Sequence, residues 1–121
     1  MMKKTKGQLE AEISTAITKF EKEYIGRGPK ESKSFILEDM VIIRLKGVLT
    51  PAEEKLAKEG GGSQLIKQMR MRLIDSSQHL LRGMIETTTG SKVIGLLTDI
   101  NPETGERVFV FTLSENLEIK L

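Results

Sequence analysis

A short segment rich in glycine and cations, Gly26–Lys30, is the first part of the sequence whose residue types could bind a ligand. Its five residues include two glycines, Gly26 and Gly28, and two cations, Arg27 and Lys30. Such a segment can turn backbone N–H groups and positive charge toward an anion. The same residues are also typical of a helix C-cap at Gly26 followed by a stiff, proline-containing turn. An anion-binding loop and a purely structural turn therefore remain as alternatives.

A second candidate is Arg70, which falls inside the apolar arc of a long helical pattern. A guanidinium stays charged, so it needs hydrogen-bond acceptors wherever its stem is buried. One interpretation is an internal ion pair with Glu38, Asp39 or Asp99, or contacts to exposed carbonyls, that fixes the helix on a sheet. The other is a cation held toward a cleft for an anionic ligand or an acid of a partner.

The remaining reactive residue types indicate no catalytic centre. The chain has no cysteine, which excludes disulfides, thiol nucleophiles and cysteine-bound zinc. Its single histidine, His79, lies on the polar side of the long helical pattern with no second histidine to share a metal. Glu38 and Asp39 are better explained as turn residues than as an acid pair. We therefore expect no catalytic residue, no metal, no cofactor and no enzymatic activity.

Apolar residues at helical spacing predict a first helix over residues 8–25 that ends at Gly26. The predicted buried stripe consists of Leu9, Ile13, Ile17, Phe20 and Tyr24. The charged residues between them, Glu10, Glu12, Lys19, Glu21, Lys22 and Glu23, are expected on the solvated face.

Four strand-like segments follow the pattern of two hairpins. Residues 33–37 and 40–46 are joined by Glu38-Asp39, where Asp39 is expected to adopt the unusual backbone angles of a tight turn. The strand 40–46 is expected to be central and buried on much of both faces. Residues 92–100 and 107–113 form the second hairpin across a turn at 101–106. Residues 114–121 are expected either to extend the sheet edge or to fray.

Two helices separate the hairpins. Thr50, Pro51 and Glu53 form a capping box with proline in the first turn, so they predict a short helix that ends at three consecutive glycines, 60–62. Ser63 is expected to cap a long helix from about Gln64 to Thr88. The apolar side of that helix is predicted to contain Leu65, Ile66, Met69, Leu73, Ile74, Leu80, Leu81, Met84 and Ile85.

These elements predict a single α+β domain over residues 1–121, with a core at about 8–113. The order αββααββ gives a two-layer fold with a four-stranded antiparallel sheet, two main helices and one short helix. Met40, Ile42, Val108 and Val110 make the second face of the sheet apolar. Because two main helices cover one face, the open face predicts a homodimer. Helices on both faces are the alternative.

The charge distribution excludes few functions but argues against nucleic acid as a partner. The net charge is only +2 at pH 7, far from the strong basic patch of a nucleic-acid binder. No apolar run approaches the roughly 20 residues that span a bilayer. The first residues carry charge without the apolar region of a signal peptide. A cytoplasmic protein without a transmembrane segment is expected.

Several of these pieces, in this order, resemble one bacterial protein family. They are the G-x-G-P segment at 26–29, the stretch DMVIIRLKGVLTPAE at 39–53, TGSKV at 89–93 and VFVF at 108–111. The family is described as the MpsC component of a Na+-translocating membrane-potential-generating system. The resemblance covers about residues 8–113 and implies a small protein associated with a membrane ion or inorganic-carbon transport system. It implies no established active site.

Two functions follow from these expectations. The first is a non-catalytic accessory or regulatory protein, a homodimer that docks on a membrane transport complex. The alternative is a small anion- or nucleotide-binding module that uses Arg27, Gly28 and Lys30, with Arg70 as a further cation. An enzyme is the third class, and no nucleophile–base pair in the sequence supports it.

Overall fold

The computed structural model describes residues 4–121, so the first three residues of the predicted domain lie outside it. The elements are α1 (Lys6–Phe20), a π-helical turn (Glu21–Ile25), β1 (Glu31–Leu37), β2 (Met40–Lys46), α2 (Pro51–Ala57), α3 (Gly62–Thr89), β3 (Val93–Asn101), β4 (Glu106–Leu113) and α4 (Leu117–Lys120). The predicted α+β class and the order αββααββ are confirmed, with α4 added at the end.

The four strands form one antiparallel sheet in the order β1-β2-β4-β3. Both predicted hairpins are present, and β2 joins them by pairing with β4. The first hairpin turn has its positive φ at Glu38, where φ is 56°, rather than at Asp39 as expected. Positive φ at the first central residue is the pattern of a type II′ turn, which matches the right-handed twist of a hairpin.

Side chains alternate across the sheet, so one face packs in the core and the other is open. The inner face includes Val41, Ile43, Phe109 and Phe111, which have no exposed surface. The helices cover this inner face, since α1 packs on β1 and α3 packs on β3. β2 is central, but its outer residues are half-buried or exposed, so the expectation of burial on both faces is wrong. The fold is therefore a two-layer arrangement with helices on one side.

The first helix buries the predicted stripe Leu9, Ile13, Ile17 and Phe20. It then passes into a π-helical turn, in which each turn holds an extra residue. The extra residue rotates the side chains that follow it, so Tyr24 is 49% exposed. Glu21, at the start of this turn, still has α-helical backbone angles and is buried four residues after Ile17. Both outcomes reverse the sequence expectation, and a constant 3.6-residue period cannot anticipate the change of helix type that exposes Tyr24. Gly26 ends the turn in the left-handed conformation, as predicted.

The capping box of α2 is confirmed, since the Thr50 hydroxyl accepts from the Glu53 N–H and the Glu53 carboxylate accepts from the Thr50 N–H. The N-cap of α3 is Gly61, with φ 78°, and Ser63 lies inside the helix, so the predicted Ser63 cap is wrong. The buried stripe of α3 is narrower than expected. Its members are Gly62, Ile66, Arg70, Ile74, Leu81, Ile85 and Thr89, whereas Leu65, Met69 and Leu80 are exposed.

The C-terminal residues neither extend the sheet nor fray. They form α4, whose Asn116 side chain accepts hydrogen bonds from the N–H groups of Glu118 and Ile119. Leu117 is fully buried, and its N–H donates to the carbonyl of Glu38 in the first hairpin turn. This short helix therefore attaches the end of the chain to the turn between β1 and β2.

Candidate functional site

Arg70 forms a buried ion pair with Glu53, a partner that the sequence expectation of Glu38, Asp39 or Asp99 did not include. The Arg70 Nε donates to Glu53 Oε2 at 2.9 Å and its Nη2 donates to Oε1 at 2.6 Å. Arg70 is 4% exposed, so the pair lies inside the protein. Burial opposes ionisation of Glu53, but hydrogen bonds from Arg70 and Thr50 outweigh it and lower the pKa of that carboxyl. The pair connects α3 to the start of α2.

Two arginines also hold the loop between β2 and α2. Arg70 Nη2 donates to the Val48 carbonyl at 2.9 Å, and Arg27 Nη1 donates to the next carbonyl, that of Leu49, at 2.9 Å. Both apolar loop residues are buried. The structure therefore brings two of the predicted ligand-binding cations to one loop, where their donors contact protein carbonyls. This arrangement stabilises the loop, because each bond satisfies a carbonyl that lies beside buried side chains.

The Gly26–Lys30 segment is a C-cap and turn, as its structural interpretation predicts. The Lys30 N–H donates to the carbonyl of Lys46, and the Lys30 stem packs over Gly47, where a Cβ would contact it at 2.6 Å. Lys30 borders a cavity of about 440 Å³ that Lys58 also lines. Glu54 and Glu103 line the same cavity, so its charges balance. Anion binding at Arg27, Gly28 and Lys30 remains a prediction.

Two further buried charged residues, Glu21 and Arg107, were not identified from the sequence; their charges attract each other, although they form no ion pair or hydrogen bond with each other. Glu21 is 1% exposed, and neither oxygen of its carboxylate accepts a hydrogen bond from residues 4–121. Burial raises the pKa of Glu21 to about 6, and the charges of Arg107 and Arg70 only partly oppose this shift. Burial likewise lowers the pKa of Arg107, and attraction to Glu21 opposes that shift. Arg107 donates through Nη1 to the Thr98 hydroxyl at 2.8 Å.

A sequence signal for Arg107 exists, because it alternates with Phe109 and Phe111 and so must share the inner face. Its guanidinium lies 5.5 Å from the centre of the Phe109 ring, within the range of a cation–π contact. Glu21 has a weaker signal, because it lies four residues after Ile17 and so continues the spacing of the buried residues Leu9, Ile13 and Ile17. The four buried charges together are two glutamates and two arginines, which balances the core electrostatically.

The outer face of the sheet is the candidate interaction surface. One row of paired residues crosses all four strands and is entirely apolar, namely Phe35, Ile42, Val110 and Leu97. Leu37 and Met40 extend this row on one side. Leu97 is 73% exposed and Phe35 is 48% exposed, and no element within residues 4–121 covers them. Large exposed apolar side chains on neighbouring strands are typical of an interface.

Charged residues border the apolar row on the side away from Leu37. The next row holds Lys33, Arg44, Val108 and Asp99. Arg44 forms an ion pair with Glu106 of β4, and this pair lowers the pKa of the Glu106 carboxyl. The β1–β2 half of the outer face therefore has three cations, Lys33, Arg44 and Lys46, and one acid, Glu31, which lies 3.5 Å from the Lys33 ammonium and 3.9 Å from that of Lys46. The β3–β4 half has the acids Asp99 and Glu106.

The other residues with possible chemistry are dispersed. Within the described part of the chain, no group of three or more histidine or acidic side chains could hold a metal ion. His79 is exposed on α3, as expected. Glu38 and Asp39 form the hairpin turn, where the Glu38 N–H donates to the Glu118 carboxylate at 2.8 Å.

These features define a class, an α+β protein with one helical layer and an open antiparallel sheet whose uncovered face is apolar. No helix among residues 4–121 is long and apolar enough to cross a membrane. The model of the family described as "Na+-translocating membrane potential-generating system (MpsC)" matches residues 5–115, so the chain belongs to the MpsC family.

Two relatives come from Bacillus subtilis (strain 168). The uncharacterized protein YbcI is 48% identical over 120 residues, which cover 99% of this chain and 97% of YbcI. The uncharacterized protein YrhF is 29% identical over 109 residues, which cover 88% of each chain. No solved structure gives a significant match. The resemblance inferred from the sequence segments is confirmed at the level of the family.

Proposed function

We propose that this chain is a non-catalytic accessory protein of the membrane system after which its family is described, and that it works as a cytoplasmic homodimer. The observation that carries the homodimer is the apolar row on the outer face of the sheet, where Phe35 and Leu97 are exposed, and family membership supports the role in the membrane system. The occupant that we assign to this face is a second copy of the chain. Twofold dimers are the commonest closed assemblies.

The buried charges support a structural rather than a catalytic role for the cations. Arg70 and Arg27 donate to Glu53, Val48 and Leu49, so these donors already have protein acceptors. A catalytic cation or acid has to reach substrate, and a functional site usually places such groups in a cleft. The proposed activity is therefore contact with a protein of the membrane system, and family membership supports the choice of that system.

The test is affinity isolation from detergent-solubilised native membranes with the tagged protein as bait. We expect an integral membrane protein of the ion-translocating system to co-purify in near-stoichiometric amount. Leu97→Asp, which places a charge on the outer face, shows whether capture requires the dimer. Ile119→Asp is the matched control, because Ile119 is exposed on α4 away from the sheet face.

Capture of no membrane protein above the level of an unrelated tagged bait would contradict the accessory role. Calorimetry with inorganic phosphate, run on the same preparation, tests the alternative function. Binding of phosphate that is lost in Arg27→Ala/Lys30→Ala would favour the anion-binding module instead.

A further inference from the structure

We propose that two copies pack outer face to outer face with a twofold axis roughly parallel to the strands. In this arrangement, β1 of one copy lies over β3 of the other and β2 lies over β4. The inference rests on the homodimer of the proposed function and specifies its geometry. It is carried by the strand register and by the charges on the outer face.

The register defines rows of side chains that run across the sheet. The first outer row is Leu37, Met40, Thr112 and Gly95, the second is Phe35, Ile42, Val110 and Leu97, and the third is Lys33, Arg44, Val108 and Asp99. Two facing sheets pack in nearly aligned fashion at about 30°. Twofold symmetry then permits an axis along the strands or an axis across them.

An axis along the strands places every row over the same row of the partner subunit, with the order of its four residues reversed. Phe35 then lies over Leu97 of the partner subunit, and Ile42 lies over Val110 of the partner subunit. In the third row, Lys33 lies over Asp99 of the partner subunit. Continuing the register by one residue places Lys46 over Glu106 of the partner subunit. The second row therefore meets itself, and Lys33 and Lys46 meet acids. Arg44, which is paired with Glu106 of its own chain, is the one cation of these rows that lies over an apolar residue, Val108 of the partner subunit.

An axis across the strands places every strand over the same strand of the partner subunit and reverses the order of the rows along the strands. If this axis passes through the second, apolar row, Lys33 lies over Leu37 of the partner subunit and Arg44 lies over Met40 of the partner subunit. Both cations then face apolar residues of the partner subunit, with only Glu31 and Glu106 of their own chain as counter-charges, and this desolvation is costly. If the second copy is shifted along the strands, the cations no longer face apolar residues, but only two rows remain in contact. This shift removes about half of the interface.

The area of the face decides between these arrangements. Four strands of seven residues measure about 19 Å by 23 Å, or roughly 440 Å² of planar area for each copy. The two copies together bury about 900 Å² of planar area, to which the uneven surface of the side chains adds. This value is near the lower limit for specific interfaces. Half of that area would not hold a dimer, so the full overlap with its matched charges is required. We expect a dimer that dissociates at micromolar concentrations.

Cysteine cross-linking tests the axis directly, because the chain has no native cysteine. Phe35→Cys and Leu97→Cys are made as separate proteins and treated with a short bis-maleimide. Facing sheets are about 10 Å apart, too far for a disulfide but within reach of this reagent. We expect a mixture of the two proteins to cross-link. Each protein alone should not, because two copies of β1 would be displaced sideways by about three strand spacings, or 14 Å.

Leu80→Cys, exposed on α3 beside α1, is the control and should cross-link in no combination. If Phe35→Cys and Leu97→Cys each cross-link with themselves, the axis runs across the strands, and the proposed geometry is overturned while the homodimer stands. If light scattering shows a monomer at high micromolar concentration, both the geometry and the homodimer are overturned. The membrane capture experiment tests the accessory role separately from both.

A charge-reversal cycle gives an independent test. Lys33→Asp and Asp99→Lys should each weaken the dimer roughly three- to fivefold, the range of exposed ion pairs. The double variant should recover the parent's Kd to within about twofold. Within one copy these residues lie on opposite edge strands, so recovery would have to arise between copies. Additive weakening in the double variant would overturn the proposed pairing.

Discussion

Arg70 shows how a residue that violates the helical pattern can serve the core. It lies among apolar side chains on α3, yet its donors contact Glu53 and the Val48 carbonyl. Glu53 also completes the cap of α2 through the Thr50 N–H. One carboxylate therefore joins a helix cap to an ion pair. Removing one partner of such a buried pair lowers the stability of the protein strongly, because the other charge is left buried without a counter-charge.

We expect Arg70→Met to destabilise the protein by about 3 kcal/mol, since it leaves Glu53 buried and unpaired. Urea denaturation followed by circular dichroism measures the change. Arg72→Met is the matched control on the exposed side of the same helix and should change stability by less than about 0.5 kcal/mol. Adding Glu53→Gln to Arg70→Met should recover part of the loss, because glutamine can retain the capping box. A denaturation midpoint in Arg70→Met equal to that of the parent would exclude the structural role.

Glu21 predicts a pH dependence of stability that is opposite in sign to ordinary acid denaturation. Its folded-state pKa is raised to about 6 from 4.5, so between these values the native state binds more protons than the unfolded state. This stabilising contribution is complete below about pH 4.5 and is lost as the pH rises through about 6. Its size is about 2 kcal/mol for a shift of about 1.5 units.

The measurement compares the free energy of unfolding of Glu21→Gln with that of the parent from pH 4 to 7. We expect the difference between the two proteins to change by about 2 kcal/mol across the interval from about 4.5 to 6. Glu23→Gln, at an exposed position of the same turn, is the matched control. A flat difference profile for Glu21→Gln would mean that the carboxyl titrates normally in the folded protein.

At the scale of elements, α4 illustrates how a short C-terminal segment becomes structured. Four residues are too few to form a stable helix in water. Here the Asn116 side chain caps the helix, and the Glu118 carboxylate contacts Lys6 of α1 and the Glu38 N–H. Leu117 completes the attachment from inside the core. The helix therefore depends on two distant parts of the chain, the start of α1 and the first hairpin turn.

Leu117→Ala should destabilise the protein by about 3 kcal/mol, because it leaves a cavity in a fully packed site. Ile119→Ala, two residues away, should have an effect below about 0.5 kcal/mol, since Ile119 is 83% exposed. Thermal or chemical denaturation of the two variants provides the comparison. Equal effects at the two positions would show that α4 does not pack as described.

At the scale of the whole molecule, the open sheet face is the feature that connects the fold to function. Two main helices cover only the inner face, where Val41, Ile43, Phe109 and Phe111 are fully buried. The opposite face keeps an apolar row in water unless a second surface covers it. The distribution of cations on β1–β2 and acids on β3–β4 is suited to a reversed copy of the same face. The proposed dimer and its proposed axis therefore depend on one continuous surface rather than on a single site.

Local sequence signals determined most of the element order. The alternation in 40–46 and 107–113, the capping box at Thr50 and the C-cap at Gly26 act over a few residues, so a single chain segment is sufficient to reveal them. The apolar residues on the second face of the sheet were identified for the same reason. The family segments, similarly, depend only on the order of residues.

Tertiary structure alone decided what the buried charges contact. Glu53 became the partner of Arg70 because α2 packs beside α3, and no spacing along the chain encodes that contact. The exposure of Tyr24 follows from a π-helical turn, whose extra residue rotates the side chains that follow it. α4 forms only because α1 and the first hairpin turn supply its contacts. Interactions between distant segments depend on how elements pack, and the periodicity of a sequence describes each element only by itself.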